Sequence, residues 1–267
     1  MTDNARPPLV EVAGFCLSLG GKDILRDVSF DVAEGEYVSI IGPNGAGKTT
    51  LLKSIIRILG GGTGEIRVAG RALGDYTQRE LARLVGYVPQ ADGRMFPFTV
   101  REFVMMGRYP HLSPFSSTSP KDEAAAARAM EMTGSAPFAN RHLDTLSGGE
   151  RQGAFVAAAL AQGARLLLLD EPTTFLDPLH EANISRVLRR VNREGGVTVV
   201  AVTHDVNAAA IRSDRVVALV GGSVVFSGPG RDLMTDDVLE CVYGKRFVMV
   251  EHPTARMPVT VTDGVEE

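Results

Sequence analysis

Three shortages narrow what this chain can be. Cysteine is nearly absent: Cys16 and Cys241 are the two in 267 residues, far apart and outside any C-x-x-C pair. This excludes a disulfide framework or a cysteine-built zinc site, and predicts a reducing compartment with two incidental thiols. Long apolar runs are missing too. The longest, from Ala154 to Ala161, falls well short of the roughly 20 residues a bilayer-spanning helix needs. The first residues, Met1 to Pro8, are polar and lack the apolar stretch of a signal peptide. The expectation is a cytosolic protein whose work at any membrane passes through a partner. The third shortage is of basic charge. A net charge of −4 argues against a dedicated nucleic-acid binder with a basic face.

What remains is an ordinary globular composition, 44% hydrophobic and 22% charged. The length is generous for one domain and short for two, which suits a large core with an inserted lobe. From residue 9 to 41 the pattern is of short strands separated by Gly20-Gly21 and Glu34-Gly35. A helix is expected over 49–59, with Leu51, Leu52, Ile55, Ile56 and Leu59 on one face, stopped by three glycines. Strands are expected over 65–68 and 84–88. Between 91 and 150 strand signals fade and helical ones take over, over 99–106, 120–133 and near Pro137. Thr99 with Glu102 has the spacing of a capping box, and the Ser- and Pro-rich 113–120 reads as a loop. Strand and helix then alternate: helix 149–162, strand 166–169, helix 178–193, strand 197–202, helix 206–211, strands 216–220 and 224–226. All-apolar strands alternating with helices indicate a parallel sheet covered on both faces. The sequence therefore reads as an α/β domain over 1–250, with a helical lobe at 91–150 inserted in it and a C-terminal tail over 251–267. No internal repeat is apparent.

Gly42-Pro43-Asn44-Gly45-Ala46-Gly47-Lys48-Thr49 fits G-x-x-x-x-G-K-[ST], and it lies between an expected strand and an expected helix. Glycines let backbone N–H groups turn inward around phosphate oxygens, and the following helix presents its positive end. Lys48 supplies a mobile charge for the β- and γ-phosphates of ATP, Thr49 a hydroxyl for Mg²⁺, and Thr50 continues the loop. Leu166 to Leu169 lead into Asp170-Glu171-Pro172. At the carboxyl end of a buried strand, Asp170 suits Mg²⁺ through water and Glu171 suits the general base for an attacking water. Leu146-Ser147-Gly148-Gly149-Glu150 opens a helix with two glycines. That pattern serves equally as a plain N-cap or as a second phosphate site, which would imply pairing with another copy. Gln90 and His204 carry little weight alone.

LSGGE resembles the signature of ATP-binding-cassette (ABC) ATPases, a P-loop NTPase (RecA-like) family with an N-terminal antiparallel β subdomain and an inserted α-helical subdomain. Ser147 lies 24 residues before Glu171, and the order glycine loop, Gln90, signature, Asp170-Glu171, Asp177, His204 is similar to the family's over nearly the whole chain. The resemblance implies that Gln90 contacts Mg²⁺ and senses a membrane partner, and that Asp177 lies in a loop facing the opposite subunit. It makes His204 a switch on the γ-phosphate. Ser147, Gly148, Gly149 and Glu150 would cap ATP held by the other copy of a head-to-tail homodimer. Three positions depart from the family pattern. Leu19 stands where an aromatic ring usually stacks on adenine, and Gly153 and Ala158 stand where arginines are common.

Residues 104–111, including Gly107-Arg108-Tyr109-Pro110-His111, look like a stretch of the ATPases that serve importers of iron–siderophores, haem and vitamin B12. The C-terminal segments at 233–235 and 242–244 look similar to the same group. The implied function is ATP hydrolysis driving an integral-membrane permease from the cytoplasmic face of the inner membrane, with a periplasmic or surface binding protein as indirect partner and no nucleic acid. The alternatives are an ABC ATPase for another transport substrate and a soluble, non-transport ABC ATPase.

Overall fold

The structure, a computed structural model, describes residues 8–90, 97–113, 117–174, 176–255 and 257–261. The start of the expected helical lobe at 91, the middle of the expected loop at 113–120 and the last residues of the expected tail lie outside the described residues. The chain divides into two compact units, one of residues up to Leu73 with those from Val200 onward, the other Gly74–Val199.

The first unit begins with the hairpin β1 (Val10–Leu19) and β2 (Lys22–Val32), turned through Gly20 and Gly21 at φ 58° and 78°. Both strands bury alternate side chains, as the period-two pattern requires. β3 (Tyr37–Ile41) is buried throughout and runs into the glycine loop and α1 (Lys48–Ile55). This helix stops a turn before the expected 59. Arg57 takes a left-handed φ of 57° and Ile58 is exposed, so the apolar spacing outlasts the helix. β4 (Thr63–Val68) and the short β5 (Arg71–Ala72) complete an antiparallel sheet of order β2-β1-β4-β5.

The second unit opens with α2 (Gln78–Leu84), a helix the sequence reading missed. Thr77 and Glu80 close a reciprocal capping box on it, both backbone N–H groups being satisfied. β6 (Val85–Val88) follows, then α3 (Val100–Met106) and α4 (Pro120–Thr133), each started by the same device, Thr99 with Glu102 and Ser119 with Asp122. α5 (Gly148–Ala161), β7 (Leu166–Asp170), α6 (Pro178–Arg193) and β8 (Thr198–Val202) complete the series. β6 and β7 are parallel, with Val88 opposite Leu169. At the start of β8, Thr198 N–H reaches Arg165 O at 2.9 Å. Val100, Val104, Ala129, Met130, Leu143, Ala154 and Ala157 form one buried cluster among α3, α4 and α5. Its many alanines allow close helix approach.

Back in the first unit, Thr203 N–H bonds Ile40 O at 3.1 Å, bringing the end of β8 beside β3. Then come α7 (Val206–Arg212), β9 (Arg215–Val220), β10 (Ser223–Gly228), α8 (Gly230–Leu233) and α9 (Asp236–Tyr243). β3 and β9 are parallel and β10 is an antiparallel edge. Ile41, Ala209, Ala218, Leu233, Leu239 and Val242 pack together over them. A hairpin of β11 (Val248–Glu251) and β12 (Pro258–Val261) spans the boundary at 251, its second strand lying in the segment expected as a trailing tail. Asn207 holds it: its amide donates to Thr260 O and its oxygen accepts Thr260 N–H, both at 2.8 Å. A side chain from a helix stands in for a neighbouring strand here, and no sequence periodicity signals that.

Candidate active site

In the first unit the glycine loop leaves the end of β3, and its glycines are dictated by space as well as by φ. A Cβ on Gly42 would lie 2.0 Å from Leu219 O, and one on Gly47 would lie 2.7 Å from a Leu25 methyl and 2.9 Å from Ile24 O. Gly42, Gly45 and Gly47 have φ 139°, 79° and 98°, a region side chains avoid. Gly47 is the N-cap of α1 and supplies no side-chain acceptor, so the helix presents its first N–H groups and positive end to the loop. Lys48 is 6% exposed, and its ammonium donates to Gly42 O at 2.7 Å and Pro43 O at 3.0 Å. The loop is thus wrapped around its own cation. With its glycine N–H donors it makes a cradle suited to an anionic phosphate chain.

His204 follows β8 as Gly42 follows β3, so the adjoining strand ends bring the histidine to the edge where the loop begins. Asp205 beside it caps α7, accepting Ala208 N–H at 2.8 Å. Leu19 is 37% exposed and pairs with Lys22 at the tip of the hairpin, whose Ile24 and Leu25 border Gly47.

The second unit holds the carboxylates. β7 is buried along its length and delivers Asp170, 2% exposed, at its end. The Tyr87 hydroxyl, carried in on β6, donates to Asp170 Oδ2 at 3.2 Å. Burial, reinforced by that negative neighbour, pushes the Tyr87 hydroxyl well above its ordinary range and keeps it a donor. Glu171 takes a left-handed φ of 53°. Its Oε2 accepts the Gln90 amide at 2.7 Å and the Thr174 hydroxyl at 3.1 Å. Gln90, 81 residues before Glu171, is therefore brought to the Asp170-Glu171 strand end. Tyr87 and Thr174 went unnoticed in the sequence, although Tyr87 sits three residues before Gln90.

Ser147 caps α5 in a capping box: Glu150 N–H reaches Ser147 Oγ at 3.3 Å, and Ser147 N–H reaches Glu150 Oε2 at 2.8 Å. The Ser147 N–H bond holds the Glu150 carboxyl below its usual range. Asp177 caps α6, accepting the backbone N–H groups of Leu179 and His180 at 3.0 Å each. A glycine at 153 fits tightly, because a Cβ there would come within 3.1 Å of Ser135 Oγ. The stretch Gly107 to His111 is a staple. Arg108 binds Asp122 Oδ1 at 2.9 Å and Ala161 O at 2.7 Å, and Arg79 and Arg83 both donate to Pro110 O.

Residues 25–174 match the family described as ABC transporter. The ferric enterobactin transport ATP-binding protein FepC of Escherichia coli K12 is 37% identical, over 93% of this chain and 92% of its own. The hemin import ATP-binding protein HmuV of Rhodococcus jostii RHA1 is 39% identical, over 94% of this chain and 87% of its own. Among solved structures, the dimeric post-hydrolysis state of the ATP-binding cassette MJ0796, bound to ADP and Pi, superposes with a TM-score of 0.71. It is 30% identical, over 83% of this chain and 99% of its own. With this coverage, and with the glycine loop and carboxylate strand end both formed, the chain belongs to the ATP-binding subunits of ABC transporters.

Proposed function

We propose that this chain is the ATP-hydrolysing subunit of an importer for iron–siderophore, haem or cobalamin, and that two copies close head to tail around two ATPs to drive a membrane permease. The observation that carries the reading is Glu171, at the end of a buried parallel strand beside Asp170, with Gln90 and Thr174 fixing its carboxylate. Relatives transporting ferric enterobactin and hemin support the substrate class, and a dimeric cassette supports the pairing.

Each residue then has a task. Gly42 to Thr50 cradle the phosphates, the backbone of Pro43, Asn44, Gly45 and Ala46 lining the turn and Lys48 placing its charge at the β- and γ-phosphates. Thr49, Gln90 and Asp170 offer a hydroxyl, an amide oxygen and a carboxylate, an all-oxygen set that suits Mg²⁺. Gln90 fits this because it gives Glu171 its nitrogen and keeps its oxygen available. When bound, the ion would neutralise phosphate charge. Glu171 takes a proton from the water whose oxygen bonds to the γ-phosphorus, and ADP leaves with the bridging oxygen as the bond between that oxygen and the γ-phosphorus breaks. His204 holds the γ-phosphate, and the partner's signature, from Ser147 through Gly148 and Gly149 to Glu150, closes over it. Asp177 faces the opposite copy. The subunit would work at the cytoplasmic face of the membrane, and a binding protein would deliver cargo from outside. Among the described residues no helix is long and apolar enough to cross a membrane.

Uptake of radiolabelled ferric siderophore, hemin and cobalamin in cells with and without the chain tests this. Loss of uptake of at least one, restored by the chain but not by Lys48→Ala, is expected. Unaltered uptake of all three would overturn the substrate class.

A further inference from the structure

His180 has no part in the chemistry assigned above, yet it stands where the signature turn meets the entrance of α6. Its Nδ1 lies 2.6 Å from Asp177 Oδ2. A carboxylate can only accept, so Nδ1 carries the hydrogen and the ring's tautomer and orientation follow. The other Asp177 oxygen is taken by two cap N–H groups, which leaves the carboxylate pinned on both sides. The ring also covers Gly149. A Cβ on Gly149 would lie 2.0 Å from His180 Cδ2, 2.2 Å from Cγ and 2.6 Å from Cβ. Contact that deep cannot be relieved by turning the ring about its own axis; the whole side chain would have to change rotamer and abandon Asp177. Beside it, a methyl of Leu176 lies 3.6 Å from where a Cβ on Gly148 would be.

We propose that His180 is a positioning residue: its imidazole clamps Asp177 to the signature turn, so that the two segments expected to meet the partner copy move together. Gly149 is then a seat for this ring as well as a phosphate-facing glycine. The proposal rests on the reading of Ser147 to Glu150 as the contact to the partner's ATP.

The test uses the full chain carrying Glu171→Gln, with ATP-dependent dimerisation followed by size-exclusion chromatography and thermal unfolding followed without nucleotide. Gly149→Ala should lower the Tm and abolish the dimer, and adding His180→Ala should recover the Tm in large part and dimerisation to the level of His180→Leu, a coupling that only neighbours produce. His180→Leu should weaken dimerisation about tenfold, whereas His180→Asn, whose amide nitrogen can replace Nδ1, should stay within about threefold. Nucleotide affinity of the monomer should be unchanged throughout. A double variant no better than Gly149→Ala alone, or His180→Asn as poor as His180→Leu, would overturn the clamp. Absence of any ATP-dependent dimer with His180 intact would instead overturn the signature reading, and recovery of the Tm would still report the seat.

Discussion

Tyr87 gives its hydroxyl to a carboxylate that already sits at the end of a buried strand, and Asp170 therefore has one oxygen oriented before any ligand arrives. Removing that donor with Tyr87→Phe should weaken Mg²⁺-dependent nucleotide binding about 3- to 10-fold, the net worth of an ordinary hydrogen bond. Binding in EDTA should be unaffected; equal losses in both conditions would show that Tyr87 acts on the fold and not on Asp170. At Leu19 a substitution adds a contact instead of removing one. Leucine offers adenine only apolar contact, so Leu19→Tyr should tighten ATP binding by about 1–3 kcal/mol if the hairpin tip faces the base. Unchanged affinity would place the base elsewhere. Tyr243 is a third case: its buried hydroxyl makes no well-aligned hydrogen bond among the described residues, and burial, opposed by the nearby Gly42 backbone N–H and reinforced by Asp205, pushes it up to about 12. Tyr243→Phe should leave stability unchanged or raise it by about 1–2 kcal/mol, measured by denaturant unfolding. The residues legible from sequence were those whose chemistry fixes type and spacing, such as Gly42 to Thr49. Tyr87, Thr174 and His180 were not, because an ordinary tyrosine, threonine or histidine acquires a role only from what the fold sets beside it.

At the scale of elements, six helices among the described residues open on a carboxylate that accepts backbone N–H groups, those of Glu80, Glu102, Asp122, Glu150, Asp177 and Asp205. Glu102, Asp122, Glu150 and Asp177 are all held below their usual range, Asp122 first by the Ser119 hydroxyl and the others first by backbone N–H groups. A lowered folded-state pKa means stability that is present above the unfolded value near 4 and is lost as pH falls through the folded value. Acid unfolding should therefore steepen below about pH 4. Glu102→Gln with Glu150→Gln should flatten that limb by lowering stability above pH 6 while changing it little in acid, where both carboxyls are already protonated; a parallel downward shift at all pH values would contradict the cap assignment. The long helices were legible because they carry caps and apolar faces: 120–133 and 178–193 were read with the boundaries the structure has. α2 escaped notice because it is one short box-capped stretch with a single buried leucine, Leu81. The β11–β12 hairpin escaped because Asn207, some fifty residues away, secures it.

For the whole molecule, the proposed site is half a site. In the proposed dimer each copy's glycine loop holds one ATP, and the other copy's signature completes its enclosure. Glu171→Gln probes this cleanly. Gln has the same backbone preferences as Glu, so the left-handed φ at 171 costs the same in both proteins, and only the ability to take a proton is lost. The measurement is ATP turnover together with sedimentation of the Glu171→Gln protein with and without Mg·ATP. Turnover should fall by about 10²-fold or more, and ATP should convert the protein to a dimer that persists because the nucleotide is not consumed. Undiminished turnover, or a monomer at saturating ATP, would contradict it.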